Sequence, residues 1–341
     1  MLRRGRTFPS SAMALGWPSL DASIKYHASP WPTVIGEEYA MKRIRRMLVA
    51  ALVCVPILAL AQQKSSVAPQ PLSIAGATTH VYKSINGAEL RLHAFSPANH
   101  ASSMRRPAIL FFFGGGGWTR GNVEQFVPQS RHLVERGMVA ILVDYRVWDR
   151  HGTSPFEAIA DAKSAIRWVR SRARELGIDP DRIAASGGSS GGHIALSAAV
   201  FGNFDEPQED DAISSKPNAL ILFNPAVDTS MSKIFSTRTP GREKEGSPLH
   251  HIGHNLPPTI ILHGKADTTV PYAHVERYCL EARKLANHCE LIGYEGAPHG
   301  FFNPQVEGGK WYTETLMEAD RFLTAIGYLP KPTPARVEVP R

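Results

Sequence analysis

The sequence predicts one α/β domain whose core is a mostly parallel, doubly wound sheet with helices on both faces. Short apolar segments of the kind that form buried strands recur along the chain, at residues 90–95, 108–113, 139–144, 183–186, 220–223, 259–263 and 290–294. Most of them are continuous rather than alternating runs, as strands covered on both sides of a parallel sheet are. Helix-like segments lie between several of the runs, and this alternation of strand and helix predicts the doubly wound sheet.

The clearest helix follows the third of these segments. Apolar residues recur there at alternating three- and four-residue steps from Ile159 to Leu176, which places one apolar stripe against the sheet. Gly177 is a typical helix stop, and Asp179-Pro180 predicts a turn before the next strand. Residues 228–258 are long and irregular, and we expect there a small insertion near the strand ends.

A secretory signal is predicted at residues 41–61. Basic residues at its start precede a 14-residue apolar stretch that ends in the small-x-small site Ala59-Leu60-Ala61. Because a membrane-spanning helix takes roughly 20 apolar residues, a retained membrane anchor is the weaker alternative. We therefore expect export to the periplasm or the cell exterior, with no stable membrane span once the signal is cleaved.

The segments around the predicted domain carry few structural signals. Residues 1–40 show no hydrophobic periodicity, and we interpret them as unstructured or as an over-long gene model whose true start is Met41. Residues 62–77 are rich in Pro, Ser, Ala and Gln and predict a flexible linker, whereas residues 330–341 predict a Pro-rich extended tail. The folded domain is expected to span residues 78–329.

The charge of the chain does not indicate a nucleic-acid partner. The formal net charge is +7, but residues 1–61 hold eight of the 38 Lys and Arg residues against three of the 31 acidic ones. The rest of the chain therefore carries 30 basic and 28 acidic residues, which is close to balance.

A glycine-rich turn after the fourth apolar segment is the strongest functional signal. Residues 187–192 read Gly-Gly-Ser-Ser-Gly-Gly, which contains the pattern G-x-S-x-G in two frames. In this pattern a sharp strand-to-helix turn exposes a serine hydroxyl between neighbours small enough for a carbonyl to approach. The candidate nucleophile is Ser189 or Ser190, and the pattern alone does not separate them. A glycine-rich turn without chemistry is the alternative.

Three further signals also follow predicted strands. Residues 114–117 are four consecutive glycines, and glycine lets backbone N–H groups converge on a developing oxyanion without obstruction by side chains. A phosphate-binding loop is the alternative, but the segment has neither a Lys-Ser/Thr ending nor a G-x-G-x-x-G pattern that leads into a helix. Asp267 and His299 come just after the last two apolar segments. All of these residues are placed at the carboxyl ends of strands, where an open α/β sheet forms its crevice.

With these elements in the order glycine loop, Ser, Asp and His, the sequence resembles the α/β-hydrolase superfamily. Within it, the sequence is similar to esterases of the hormone-sensitive-lipase and acetylxylan or feruloyl esterase-like groups. The family motifs are H-G-G-G-W, G-D-S-A-G-G, H-G-x-x-D-x-x-V-P and G-x-x-H-G-F. They are matched by residues 114–118, 187–192, 263–271 and 296–301, within a resemblance that covers roughly residues 78–328.

The resemblance implies a complete set of catalytic roles and needs no metal and no organic cofactor. The implied triad is Ser189, Asp267 and His299, and the implied oxyanion hole consists of the backbone N–H groups of Gly116, Gly117 and Ser190. Ser190 remains the alternative nucleophile. Two positions depart from the family pattern: Gly114 stands where the family has His, and Gly188 stands where an Asp is common.

Two smaller sets of residues bear on disulfides and metals. Cys279 and Cys289 form an even pair in a chain expected to be exported, so one disulfide between a helix and the next strand is predicted. Two unrelated buried thiols are the alternative. His250, His251 and His254 have a spacing that zinc sites use, but no Cys or acidic cluster is near them in the sequence, and no metal is predicted.

The predicted function is hydrolysis of a small-molecule or polysaccharide ester through an acyl-enzyme. A short insertion leaves an open cleft, which together with the resemblance favours acetylated or feruloylated carbohydrates as substrates. The alternatives are a serine peptidase of the prolyl-oligopeptidase type and a hydrolase-fold binding protein without activity. The acyl group, the alcohol and the oligomeric state stay open.

Overall fold

The computed structural model describes residues 68–331, and these residues fold around one eight-stranded sheet. In space the strands follow the order β1-β2-β4-β3-β5-β6-β7-β8. Their bounds are Thr78–Ile85 (β1), Ala88–Phe95 (β2), Arg106–Phe112 (β3), Val139–Val143 (β4), Ile178–Gly188 (β5), Ala219–Phe223 (β6), Thr259–Gly264 (β7) and Cys289–Tyr294 (β8).

The predicted fold class is confirmed. From β4 to β8 all neighbouring strands pair in parallel, whereas β2 is antiparallel to both β1 and β4. The central strands β4 and β6 are buried at every position, which explains their continuous apolar sequences. Only β1 was not predicted, because it is an edge strand with a mixed sequence, Thr-Thr-His-Val-Tyr-Lys-Ser-Ile, and several exposed positions.

Helices connect the parallel strands and flank the sheet. In the described residues they are Val127–Glu135 (α1), Trp148–His151 (α2), Pro155–Ser171 (α3), Ser190–Val200 (α4), Lys233–Arg238 (α5), Tyr272–Lys284 (α6) and Tyr312–Ala325 (α7). Short 3₁₀ helices add Val123–Phe126, Pro248–His250 and Val306–Gly309.

Two boundaries near α3 differ from the prediction. The helix ends at Ser171, so the apolar residues that continue its stripe to Leu176 lie in turns, and Gly177 follows with a φ of +63°. Asp179-Pro180 is part of β5 and not a turn. The pairing of β3 with β5 shifts register just beyond Ile178, and a proline is tolerated in a strand at such an irregularity because no ladder hydrogen bond is lost there.

The segment predicted as a flexible linker is packed against the domain where the structure describes it. The Gln70 side chain donates to the carbonyl of Gly121 at 2.9 Å and accepts from the N–H of Val123 at 3.0 Å. Ile74 is buried in the core. The linker prediction is therefore wrong for residues 68–77, because these contacts hold the backbone in place.

Other predicted segments lie outside the described residues. These are the extension at residues 1–40, the signal at residues 41–61 and the tail beyond residue 331. Between residues 68 and 331, no helix combines the length and the apolar composition that crossing a bilayer requires.

The predicted insertion and disulfide both have defined places in the fold. Residues 228–258 contain α5 and the 3₁₀ helix Pro248–His250, so the insertion is small and partly helical. A disulfide joins Cys279 in α6 to Cys289 at the start of β8, as predicted.

Candidate active site

The candidate nucleophile Ser189 lies on a tight turn between β5 and α4. Its φ is +55° and its ψ is −119°, a conformation that costs a non-glycine residue free energy and is typical of catalytic turns. Three backbone hydrogen bonds hold the turn: the N–H of Ser189 donates to the carbonyl of Phe223 at 3.0 Å, and its carbonyl accepts from the N–H groups of His193 at 2.9 Å and Ala226 at 3.3 Å. The side chain is therefore rigidly presented, and it is only half-buried.

Ser189, His299 and Asp267 form a continuous hydrogen-bonded chain. His299 Nε2 lies 3.0 Å from Ser189 Oγ, and His299 Nδ1 lies 2.7 Å from Asp267 Oδ2. A carboxylate only accepts hydrogen bonds, so Nδ1 carries the imidazole proton and Nε2 is free to accept from the serine hydroxyl. This is the arrangement in which an imidazole acts as a general base toward a hydroxyl.

Asp267 is held in one orientation by donors on both oxygens. Oδ1 accepts from the backbone N–H groups of Thr269 at 2.8 Å and Val270 at 2.9 Å. Oδ2 faces His299 and also lies 3.3 Å from Nε2 of His263. Burial alone would raise the pKa of Asp267, but the hydrogen bonds from His263, His299 and Val270 outweigh it and hold the pKa far below its usual range. Asp267 is thus a permanently ionised partner for His299.

In the sequence, His263 is only the first residue of a family motif. In the structure, it contacts Asp267 directly. Its side chain is completely buried at the end of β7, and Nε2 also lies 2.9 Å from the carbonyl of Val270. Both neighbours of Nε2 are acceptors, so this nitrogen carries the proton and donates. No motif spacing reveals this contact, because it depends on the turn between His263 and Val270.

Ser190 is placed differently from Ser189. It is buried, and its Oγ accepts the N–H of Gly115 at 3.2 Å. The hydroxyl is thus turned toward the glycine loop, whereas His299 contacts Ser189. Of the two serines that the motif leaves open, the geometry selects Ser189. As the first residue of α4, Ser190 has a backbone N–H that needs no intrahelical acceptor and is available to an oxyanion.

The glycine loop after β3 adopts a backbone conformation that favours glycine. Gly116 and Gly117 have φ values of +51° and +62°, a region that glycine adopts without strain. Among the described residues, their N–H groups donate to no backbone or side-chain acceptor. The N–H of Gly114 is used differently, because it donates to Oε1 of Gln125 at 2.7 Å. Gln125 was not foreseen, since it lies outside every motif.

Close packing explains the two departures from the family pattern. A Cβ at Gly114 would lie 2.5 Å from the carbonyl oxygen of Gly188, and a Cβ at Gly188 would lie 2.4 Å from Cζ of Phe302. Because real Cβ atoms do not approach other atoms so closely, neither position accepts the family's side chain without movement of the backbone or of a buried aromatic ring.

The tryptophan that follows the four glycines is hydrogen-bonded to a histidine of α4. Trp118 is buried, and its indole N–H donates to Nδ1 of His193 at 3.2 Å. Burial lowers the pKa of His193 to about 4, which keeps the ring neutral and able to accept that hydrogen bond. In the part of the chain that the structure describes, no three His, Cys, Asp or Glu side chains come together as metal ligands, and this includes the histidines of the insertion.

A groove of about 590 Å³ adjoins the glycine loop. Gly115, Arg120 and Gly121 line one side, and residues 68–71 line the other. None of the residues that line this groove belongs to the Ser189, His299 and Asp267 set.

Comparison with known proteins finds relatives among esterases. The BD-FAE family model matches residues 92–230, which include the glycine loop and Ser189. The chain is 30% identical over 259 residues to the probable carboxylic ester hydrolase LipM of Mycobacterium tuberculosis, covering 68% of this chain and 59% of that protein. The chain thus spans somewhat more than half the length of this relative.

Solved structures of one esterase match more completely. Thermogutta terrifontis esterase 2 phosphorylated by paraoxon has 46% sequence identity and a TM-score of 0.73, with 76% of this chain and 98% of that chain covered. The propionate-bound form of the esterase from the same Planctomycetes species has 45% identity and a TM-score of 0.73, covering 76% and 97% of the two chains. The chain therefore belongs to the α/β-hydrolase superfamily, among the carboxylic ester hydrolases of the group related to hormone-sensitive lipase.

Proposed function

We propose that the protein hydrolyses carboxylic esters through an acyl-enzyme on Ser189. The observation that carries this proposal is the chain of contacts from Ser189 Oγ to His299 Nε2 and from His299 Nδ1 to Asp267 Oδ2, at 3.0 and 2.7 Å. We assign the oxyanion donors to the backbone N–H groups of the glycine loop and of the start of α4.

In the first half of the reaction, Ser189 Oγ attacks the ester carbonyl carbon while His299 Nε2 takes the hydroxyl proton. The carbonyl π electrons move to oxygen, where the N–H groups of Gly116, Gly117 and Ser190 stabilise the negative charge. Each donor of this kind contributes on the order of 10²–10³ in rate. When the tetrahedral intermediate collapses, the C–O bond to the alcohol breaks and His299 donates its proton to the departing oxygen.

In the second half, water replaces the alcohol. His299 takes a proton from water as it attacks the acyl carbon, and it returns the proton to Ser189 Oγ as the acid leaves. Asp267, held ionised by its hydrogen bonds, stabilises the imidazolium in both halves. The protein's own residues supply every proton-transfer group in this scheme.

We further propose that the substrates are short acyl esters of carbohydrates, met outside the cytoplasm after export through the signal at residues 41–61. Two observations support a short acyl group and a large alcohol. The similar Thermogutta terrifontis esterase has been crystallised with propionate and with butyrate. The insertion carries only a six-residue helix and one 3₁₀ turn, which leaves little chain to cover the strand ends.

The test combines a covalent probe with a substrate panel. A fluorophosphonate is expected to add one phosphonyl group per chain, detected by intact mass, and Ser189→Ala is expected to abolish both labelling and hydrolysis. Hydrolysis is measured on p-nitrophenyl acetate, butyrate and decanoate and on acetylated xylan. An unlabelled and inactive wild-type protein would favour a hydrolase-fold binding protein, and cleavage of prolyl arylamides without esterase activity would favour a peptidase. Activity confined to the decanoate would overturn the carbohydrate proposal alone.

A further inference from the structure

The glycine loop contributes two N–H groups to the predicted oxyanion hole. The direction of each is set by the hydrogen bonds that the carbonyl group of the same peptide accepts. The N–H of Gly116 belongs to the peptide whose carbonyl is that of Gly115, and this oxygen accepts from the N–H groups of Thr119 at 3.2 Å and Arg120 at 3.3 Å. Because a trans peptide is planar, fixing the carbonyl also fixes the N–H, which points the opposite way. The turn itself therefore aims the first donor.

The second donor depends on a side chain. The N–H of Gly117 belongs to the peptide whose carbonyl is that of Gly116, and this oxygen accepts a hydrogen bond from the hydroxyl of Thr119. A hydroxyl can rotate about its C–O bond, so the direction of its single proton depends on which of its neighbours are donors and which are acceptors.

Arg238, at the end of α5 in the insertion, directs that proton. Its Nη2 donates to Oγ1 of Thr119 at 3.0 Å, and its Nη1 donates to the carbonyl of Gly117 at 3.1 Å. A guanidinium has only donors, so the Thr119 hydroxyl must accept from Arg238 and give its own proton to Gly116. Arg238 thereby orients both carbonyls that flank the N–H of Gly117.

The guanidinium is itself well positioned. It lies over the ring of Trp148, 4.9 Å from the ring centroid. From the same helix, Ile234 covers Gly117 so closely that a Cβ there would lie 3.0 Å from Ile234 Cγ2. Two hydrogen bonds to the loop and the contact with the Trp148 ring hold the Arg238 guanidinium, and the charge of Asp149 also acts on it.

We propose that Arg238, acting through Thr119, is a positioning residue for the oxyanion hole. The proposal rests on the esterase function proposed above and adds that the insertion supplies a brace for the donor at Gly117. This chain has glycine at position 114, where the family has a histidine. The insertion is thus part of the machinery that stabilises the transition state and not only a cover over the cleft.

The experiment uses the full chain and compares Arg238→Met and Thr119→Val with wild type. Because a misaligned oxyanion donor weakens binding of the transition state and not of the ester, kcat is expected to fall by about 10- to 100-fold with KM changed less than about threefold. Thr119→Ser keeps the hydroxyl and is expected to restore kcat to within about twofold of wild type. Arg242→Met is the matched control, because Arg242 lies in the same insertion, stacks over Phe156 at 3.9 Å and pairs with Glu245.

A second readout separates oxyanion positioning from a general loss of structure. A trifluoromethyl ketone forms a tetrahedral oxyanion with the serine, so its affinity is expected to fall in parallel with kcat, whereas binding of butyrate is expected to change little. The double variant Arg238→Met/Thr119→Val is expected to lose clearly less kcat than the product of the two single losses, because the contact of Arg238 with Thr119 is shared by both variants and only its contact with the Gly117 carbonyl is separate.

Three outcomes would overturn the inference: an unchanged kcat in both single variants, an equal loss in Arg242→Met, or additive losses in the double variant. Should Arg238→Met fail to fold, the isosteric Thr119→Val and its Thr119→Ser partner decide the question. A wild-type protein that neither labels nor hydrolyses esters would instead defeat the proposed function on which the inference rests.

Discussion

The hydroxyl of Ser190 lies 3.2 Å from the amide nitrogen of Gly115 and accepts its hydrogen bond. This single contact joins the turn that carries the candidate nucleophile to the loop that carries the oxyanion donors. The two parts follow β5 and β3, which are neighbours in the sheet. Strand pairing and this hydrogen bond therefore set the distance between the nucleophile and the donors.

The variant Ser190→Ala is expected to retain the nucleophile Ser189 and to lose the hydrogen bond between Ser190 and Gly115. Fluorophosphonate labelling should persist at one group per chain, and kcat should fall only about fivefold, because one neutral hydrogen bond contributes about 1 kcal/mol. Intact-mass spectrometry and steady-state kinetics check this. Loss of labelling in Ser190→Ala but not in Ser189→Ala would mean that the nucleophile has been wrongly assigned.

Asp267→Asn is expected to lower kcat by about 10⁴-fold with little change in KM. An amide cannot accept at all four contacts, so its NH₂ group would face His299 Nδ1 or the backbone N–H groups and favour the wrong imidazole tautomer. Kinetics on p-nitrophenyl acetate measure the effect. Asp228→Asn serves as the control, because that carboxylate accepts from Ser230 within the insertion, and a comparable loss there would contradict the assignment.

Gly114→Ala is expected to destabilise the fold by at least about 2 kcal/mol, because the new methyl group would meet a backbone carbonyl 2.5 Å away that cannot rotate aside. Gly202→Ala is the matched control, since nothing lies within 4 Å of its Cβ position and its φ is not positive. Denaturant unfolding of both variants tests the difference. Equal stabilities would show that the loop adapts and that the family's histidine is not excluded on steric grounds.

Removing the disulfide is expected to lower stability without changing catalysis. The bond closes a short loop, with a sequence separation of 10, which corresponds to about 3 kcal/mol in the chain-entropy description. For a domain of this size, that loss would lower Tm by roughly 6–12 °C. Calorimetry of Cys279→Ala/Cys289→Ala tests it. Because Cys289 starts β8 and His299 lies beyond its other end, kcat should stay within about twofold, and a large loss would refute this separation.

The buried His193 is expected to make the protein sensitive to acid. Burial lowers its pKa from 6.5 to about 4, so the unfolded chain takes up a proton at a higher pH than the folded protein does. Stability from this group is therefore complete above pH 6.5 and is lost as the pH falls toward 4, by roughly 3 kcal/mol.

The measurement compares urea unfolding of wild type and His193→Gln between pH 4 and 7.5. Glutamine retains a donor and an acceptor but does not titrate, so the difference in unfolding free energy between the two proteins should change across this window. Parallel pH profiles would contradict the role of His193. Asp144 acts in the opposite direction, because burial raises its pKa to about 6, and taking the difference between proteins removes its contribution.

Much of the architecture was predictable because local patterns of apolar residues in the sequence indicate it. A strand covered on both faces needs a continuous apolar run, so β3, β4, β6 and β7 were recognisable within a few residues. β5 begins at Ile178, well before its predicted apolar run at residues 183–186. An edge strand such as β1 needs no such run, and its mixed sequence carried no signal. The end of α3 was misplaced for a related reason: Ala173 and Leu176 remain apolar because they pack against the domain, although the backbone there has already left the helix.

The candidate site, too, was predictable only in part from the sequence. Residue types and their order along the chain predicted Ser189, Asp267, His299 and the glycine loop, because each follows a strand and parallel strands end at one edge. The motif by itself left Ser189 and Ser190 open, and the family resemblance favoured Ser189. The turn geometry agrees with that choice, because it aims the Ser189 hydroxyl at His299 and buries that of Ser190.

The contacts of His263 and Arg238 also required the folded structure. They join segments that are distant in the sequence or reversed by a tight turn, and no periodicity encodes such a contact. The amino-acid sequence thus decided which chemical groups are present and on which strand ends they lie. Only the tertiary structure decided which of them touch, because hydrogen bonds between loops depend on distances that strand order and packing set together.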